Sequence, residues 1–483
     1  MLVILAASPV LMGPVAAKES AVEMPPRNAV LAALKKAGAF FREKCGRHGG
    51  YVWRYSRDFK LSEGEDETTE SMIWVQPPGT PAVGAAFLDA FAATGDAFYL
   101  DAAKEAAIAL VAGQLQSGGW YYSVEFDPAR RRRFAYRNNF EYRPPVTGRD
   151  THNMTMLDDD VTPSALRLLL RVNEVPDGKD ARITDAMNFG LEAVMAAQAP
   201  NGGWRHNWDR YPEPMSEHDF PSVHASYPES WPREWPNDWR GVHYLNDNIA
   251  GHTLATLLLA AELTGDQKCL AAARKTGDFL GQAQMPPPQP AWAQQYDARM
   301  KPVWDRKFEP PAIAGRESEW AIGSLLLLYE KTGDEKFLVP IPSALDYLKK
   351  SRLPDGRLAR FYELQTNRPL FFKITGKSYD LVYSADELPT HYAFITESHL
   401  DDLEAEYQRL RREGPKAKSP APPPKKLAAQ VRTIISSMDK RGAWIDARSL
   451  KGHKKASPAG VIQSETFCRN LSLLCQYLRA HRP

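Results

Sequence analysis

Apolar residues recur at helical spacing along most of this chain, and the runs come in pairs. One run from Pro81 reaches Ala93, a Thr94-Gly95-Asp96 turn follows, and a second run ends near Gln114 before Gly118-Gly119-Trp120. The unit recurs from Pro163 through Asp177-Gly178 to Gln198 and Gly202-Gly203-Trp204. It recurs again from Ile249 through Thr264-Gly265-Asp266 to Gln284, and from Glu317 through Thr332-Gly333-Asp334 to Lys350. An amphipathic stretch over 27–45 precedes them and leads to Gly49-Gly50-Tyr51-Val52-Trp53. Strand-like alternation is scarce. Self-similarity at this scale predicts an all-α fold of stacked helical hairpins, either a solenoid or a closed or partly closed α/α toroid.

The turns inside each hairpin are a few residues long, whereas the connections 117–161, 199–247, 285–316 and 352–395 are very long. Loops of that size are uncommon in compact domains unless they carry function. Since the short turns lie at one end, the long loops must share the other. At that rim stands Asp158-Asp159-Asp160, three adjacent acids before a helix for which Thr162 is the expected N-cap and Pro163 the first residue. The helical body is expected over 28–395, a charged helix and Pro/Lys-rich linker over 396–426, and a last, irregular repeat over 427–483. That repeat, with its Gly442-Ala443-Trp444 turn, is expected to pack on the body, an independent appendage being the alternative.

Composition narrows the function. A formal net charge of +2 supplies no basic stripe for nucleic acid, and the dense run Arg130 to Arg133 reads as a solvated loop. Residues 2–17 are apolar and small, and Val15-Ala16-Ala17 fits a signal-peptidase site, so residues 1–17 are expected to be a signal peptide and the protein secreted or periplasmic. No other run approaches membrane-spanning length. The four cysteines are too few for a disulfide scaffold; Cys468 and Cys475 fall two helical turns apart, roughly 10 Å. A monomer is expected.

The chemistry gathers in the long loops: Asp158, Asp159 and Asp160; Asn246, Asp247 and Asn248; Arg306; Glu317 and Glu319; Arg360 and Arg368. Trp204, Tyr296, Tyr362 and other rings accompany them. Acids, guanidinium groups and flat rings together suit a sugar polymer bearing carboxylates. Arginine forks pair with uronates, and an oxygen-only acid cluster favours Ca²⁺ over zinc. No His/Cys cluster has zinc spacing, and no nucleophile elbow or phosphate loop is present.

Leu157-Asp158-Asp159-Asp160-Val161-Thr162, Asn201-Gly202-Gly203-Trp204 and Tyr244-Leu245-Asn246-Asp247-Asn248 resemble, in that order, landmarks of the family 10 pectate lyases. The same holds for Trp292-Ala293-Gln294-Gln295-Tyr296-Asp297, for Pro302-Val303-Trp304-Asp305-Arg306-Lys307-Phe308-Glu309-Pro310, and for Ala359-Arg360-Phe361-Tyr362-Glu363 with Thr366-Asn367-Arg368-Pro369. The resemblance covers residues 150–390. It implies an incomplete α/α toroid with long loops on one rim, cleaving polygalacturonate by Ca²⁺-assisted β-elimination. Carried over, Asp158 and Asp247, with Asp159, would hold the metal. Arg306 would pair with a substrate carboxylate, with Asp158, Asn246, Asn248, Tyr362, Trp204 and Tyr296 also at the substrate. Arg368, in preference to Arg360, would be the base. The chain departs from the family where Asp-Asn-Gly is Asp158-Asp159-Asp160, where 208–239 is an insertion, and where 28–120 adds a hairpin.

Three rivals stand beside the lyase. An inverting glycoside hydrolase could use the same toroid with two carboxylates and no cation. A terpene-cyclase-like α/α barrel shares the Asp-rich and Gly-Trp segments but needs an apolar lining. A catalytically inactive glycan-binding protein would keep the fold alone. For Trp204 a buried plug after the Gly-Gly turn is preferred to sugar stacking.

Overall fold

The computed structural model describes residues 24–238, 241–415, 424–452 and 460–481. The expected signal peptide over 1–17 and most of the Pro/Lys-rich linker lie outside them. Among the described residues are twelve α-helices of ten residues or more: α1 Arg27–Phe40, α2 Thr80–Thr94, α3 Ala97–Ala112, α4 Val161–Glu174, α5 Ala181–Ala196, α6 Ile249–Thr264, α7 Gln267–Ala283, α8 Gly315–Thr332, α9 Ile341–Lys350, α10 Leu400–Glu413, α11 Pro424–Ser436 and α12 Ser464–Ala480. No helix among them is long and apolar enough to cross a membrane.

The repeated Thr-Gly-Asp turns are built from three separate local effects. In each, the threonine hydroxyl donates back to a carbonyl four residues earlier, Thr94 to Ala90 and Thr264 to Ala260 at 2.7 Å. The glycine then takes a left-handed conformation, with φ of 72°, 75° and 69° at Gly95, Gly265 and Gly333. The aspartate starts the next helix by accepting an N–H two residues on, as Asp96 does from Phe98 at 3.0 Å and Asp266 from Lys268 at 2.8 Å.

Helices α2, α4, α6, α8 and α10 pack side by side in that order, the first four each followed in the chain by a partner on the outside, and α12 packs along α2 to extend the ring. Helix α1 lies against α12, so the sixth hairpin is assembled from the two ends of the chain. Tyr477 donates its hydroxyl to the Pro25 carbonyl at 2.8 Å, and the Phe41 and Phe467 rings stack at 3.9 Å. The architecture is an all-α, α/α toroid. Its hydrophobic core is continuous from α1 to α12, and the tail belongs to it.

On one rim the long connections are zipped together by short antiparallel ladders. Thr155–Met156 pairs with Asn207–Trp208, His243–Tyr244 with Gln295–Tyr296, and Leu358–Ala359 with Ile395–Thr396. The largest sheet runs Ser378–Val382, Pro369–Thr375, Phe361–Glu363, Ala312–Ala314. These strands are too short for periodicity to announce them, and they hold the site's loops in place.

One helix start differs from expectation. Helix α4 begins at Val161, and the Thr162 hydroxyl does not cap it. It accepts instead the Trp120 N–H at 3.1 Å, pinning the preceding loop; Thr80 does the same for the Tyr51 N–H at 2.9 Å. The hydroxyl is buried, where the strongest claim on it is a backbone donor with no other acceptor.

Candidate functional site

Two turns of the same shape lead into the neighbouring inner helices α4 and α6. In Leu157-Asp158-Asp159-Asp160-Val161 the third and fourth residues have φ of 51° and 60°, and in Leu245-Asn246-Asp247-Asn248-Ile249 the corresponding values are 46° and 57°. Left-handed backbone at a residue other than glycine costs on the order of 1 kcal/mol or more, and four such residues facing one another mark a strained, over-determined place. The turns lie against each other. They bring one carboxylate oxygen each from Asp158, Asp159 and Asp247 within 4.8 Å of one another. Asp160 turns away, to Arg167 and towards His252 at 3.6 Å. Asn246 donates to Asp247 Oδ2 at 2.9 Å, and the Tyr122 hydroxyl donates to Asp159 Oδ2 at 3.3 Å.

Burial, with the charges of Asp247 and Asp159 added to it, holds the Asp158 carboxyl well above the usual carboxylate range. Asp159 is pushed up to about 6 by burial and then by Asp247 and Glu65. Asp158 Oδ1 is buried without a hydrogen-bond partner. Three like charges, an orphaned buried oxygen and an all-oxygen donor set fit a hard divalent cation such as Ca²⁺.

Two guanidinium groups stand beside these acids. Arg306 is fork-paired to buried Glu309, with Nε to Oε2 at 2.7 Å. Arg360, fully buried, bonds Glu317 Oε1. Burial draws both guanidinium groups down. The partner glutamates, together with Asp247 and Tyr392, more than reverse this, and both end above the ordinary arginine range. Tyr392 sits between them, its ring 4.9 Å from Arg360 and 5.6 Å from Arg306. Its hydroxyl donates to Glu309 Oε1 at 3.1 Å and accepts from Gln294 at 3.0 Å. Glu317 Oε2, Gln294 Oε1 and Arg360 Nε are buried with no hydrogen-bond partner. The basin thus carries unspent polar atoms of both signs.

The structure brings Asp158, Asp159, Asp247, Asn246, Arg306 and Arg360 together, with Asn248 at the edge. Three other expectations are corrected, for Arg368, Tyr296 and Tyr362, while Trp204 takes the plug role preferred for it over sugar stacking. Arg368 is exposed, its guanidinium 3.4 Å from the Tyr383 ring centroid, on a hairpin turn made by left-handed Gln365 and Asn367. It lies outside the basin because strand pairing carries it past Arg360. Trp204 is a buried plug whose indole N–H reaches Thr276 Oγ1 at 3.3 Å. Tyr296 and Tyr362 are fully buried, their hydroxyls donating to the Ala283 and Ser351 carbonyls, both at 2.7 Å. None of the three offers a ring face to a sugar. Gly202, two residues before Trp204, serves the same packing: at φ 93° it meets the Lys275 carbonyl of the neighbouring outer helix, where a Cβ would stand 2.1 Å from it.

Sequence reasoning missed Tyr392, Gln294 and His206 as members of the site. Gln294 lay within a motif already singled out. The other two carried no local signal, since only the folding of their loops over the rim makes them neighbours.

No protein-family model matches the chain, and no curated protein matches it. Solved structures of similar architecture include a family 10 polysaccharide lyase from Cellvibrio cellulosa in complex with trigalacturonic acid, 15% identical, over 69% of this chain and 98% of that one, at a TM-score of 0.43. A cellobiose 2-epimerase from Spirochaeta thermophila is 15% identical over 94% and 96% of the two chains, at 0.49. An α-1,6-mannanase from Salegentibacter is 12% identical over 94% and 99%, at 0.41. At this distance the likeness is one of fold.

Proposed function

We propose that the protein is a polysaccharide lyase that cleaves a uronate polymer of the polygalacturonate kind by β-elimination. The observation that carries this reading is the meeting of three acids within 4.8 Å with two guanidinium groups that both feel Asp247. A basin of that composition takes a carboxylated sugar and withdraws charge from it. Asp158, Asp159 and Asp247 would hold a Ca²⁺ ion, which when bound supplies positive charge to the uronate carboxylate and makes the neighbouring C–H more acidic.

Arg306 is half-exposed and fork-shaped, suited to exchange Glu309 for a substrate carboxylate. Elimination removes the C5 proton, forms a C4–C5 double bond and expels the C4 oxygen, which takes up a proton. With Arg368 outside the basin, Arg360 is the arginine left for the proton at C5. Its bond to Glu317 works against that role, because it holds the guanidinium proton on. An alkaline optimum follows. Export, for which residues 2–17 speak, suits a polymeric substrate.

A hydrolase reading draws on Asp159, which at about 6 could act as a general acid. Carboxylates with oxygens within 4.8 Å of one another are crowded for an inverting pair, which stands about 6.5–9.5 Å apart to admit a water, and leave a retaining pair, about 5–5.5 Å apart, as the hydrolase form. Incubation with polygalacturonate, with and without a calcium chelator, decides between the two. The lyase gives an ultraviolet-absorbing unsaturated product that the chelator suppresses. Reducing ends without the chromophore would favour the hydrolase.

A further inference from the structure

The run Arg130 to Arg133, read from sequence as a solvated loop, divides into two halves with different fates. Asp127 starts a short helical turn, Pro128–Arg131, by accepting the Arg130 N–H at 2.9 Å. Arg130 pairs with Glu125 and Asp127, and Arg131 bonds the Glu125 and Ala112 carbonyls while covering the Tyr136 ring at 4.3 Å. Both are committed to the body. Arg132 and Arg133 point the other way and, with Tyr142, Arg143, Arg149 and His152, line a cleft of about 450 Å³.

The guanidinium groups of this cleft are little neutralised. Among the described residues the carboxylate partner of Arg132 is Glu141, 3.7 Å away with both side chains largely exposed. Arg143 donates to the Phe140 and Tyr142 carbonyls, and Arg149 to the Asn207 side chain. Arg133 has no carboxylate partner among the described residues. The acid of the cleft, Asp150, is buried and occupied by the Tyr142 hydroxyl and the His152 N–H. Phe140, 86% exposed, stands in the same segment.

The cleft and the basin are tied to one short segment, His206 and Asn207. The His206 carbonyl accepts the N–H groups of Leu157 and Asp158, at 2.8 and 3.3 Å, and the next residue, Asn207, takes the Arg149 guanidinium. The His206 ring is held down to about 4, by burial first and then by Arg149 and Arg306.

We propose that this arginine cleft is a remote subsite that holds further uronate residues of the same polymer whose reacting sugar sits at Arg306. The inference rests on the uronate reading of the basin. Successive carboxylates along one chain match guanidinium forks spaced along one surface, and Tyr142 and Phe140 offer ring faces to the sugars between them. The overall charge of +2 leaves this patch as a local device rather than part of a general basic coat.

Affinity electrophoresis of the full chain through gels cast with polygalacturonate tests this. The triple variant Arg132→Ala, Arg133→Ala, Arg143→Ala is compared with the unmodified protein, thermal melting confirming that both are folded. The apparent Kd for the polymer is expected to weaken at least tenfold, and added salt to weaken retention less than in the unmodified protein. Equal retention of the two proteins, or none of the unmodified one, overturns the subsite. So does equal retention of the unmodified protein by gels containing duplex DNA or anionic lipid vesicles, which would make the cleft a general polyanion surface. Retention lost in the variant, with no unsaturated product from the unmodified protein, keeps the subsite and rejects the lyase. Product with unchanged retention does the reverse.

Discussion

Asp159 and Asp247 occupy the same position in two turns of one shape, with φ of 51° and 46°, and their carboxylates face each other across the seam between α4 and α6. Each would be easier to accommodate as asparagine or glycine. Strain and like-charge repulsion meet at one spot, and a bound cation would relieve the repulsion.

Calcium should therefore raise the melting temperature of the protein, and Asp247→Asn should remove that response. In the presence of a chelator the same variant should be at least as stable as the unmodified protein, because one of three crowded charges is gone. Calorimetric melting with calcium and with chelator reads both effects. A calcium response that survives in the variant would take Asp247 out of the cation site.

Arg360→Ala should abolish turnover and destabilise the fold by about 3–5 kcal/mol, since it leaves Glu317 buried without its counter-charge. Arg368→Ala should keep both turnover and stability, its guanidinium lying exposed on Tyr383. Urea unfolding and product absorbance separate the two arginines. Loss of turnover in the Arg368 variant would return the base to the hairpin turn.

Thr162→Val keeps the shape of the side chain and removes the acceptor for the buried Trp120 N–H. A loss of about 1–3 kcal/mol in urea unfolding is expected from the unsatisfied donor. Were Thr162 a surface helix cap, the loss would be nearer 1 kcal/mol, and the distinction is sharpest in hydrogen exchange at Trp120.

Asp305 is pushed up to about 6, by burial first and then by Glu309, while the Tyr244 hydroxyl donates to its Oδ1 at 3.1 Å. Its folded pKa is above the unfolded value near 4, so the fold binds the extra proton and loses stability as pH rises through that window. Asp305→Asn retains the acceptor and cannot ionise. Its stability relative to the unmodified protein should improve between pH 4 and 6 and level off above, by about 2–3 kcal/mol. A pH-independent difference would mean that Asp305 is not buried as an acid.

The helical hairpins, their Thr-Gly-Asp turns and the gathering of long loops on one rim were legible in the sequence because their causes are local. Periodicity, a left-handed glycine and a capping aspartate act within a few residues. Four of the acids and arginines expected to meet, Asp158, Asp159, Asp247 and Arg306, could be named for a related reason: each sits in a short chemical phrase at a loop or helix entry. Only the tertiary structure decided between Arg360 and Arg368. Eight positions apart in the chain, they are separated by a strand and a turn whose pairing partner, Ala312–Ala314, lies some fifty residues earlier. The same holds for the claim of Trp120 on the Thr162 hydroxyl and for the hairpin made by α1 and α12. Each is a contact between residues remote in sequence, whose free energy exists only once the ring has brought them together.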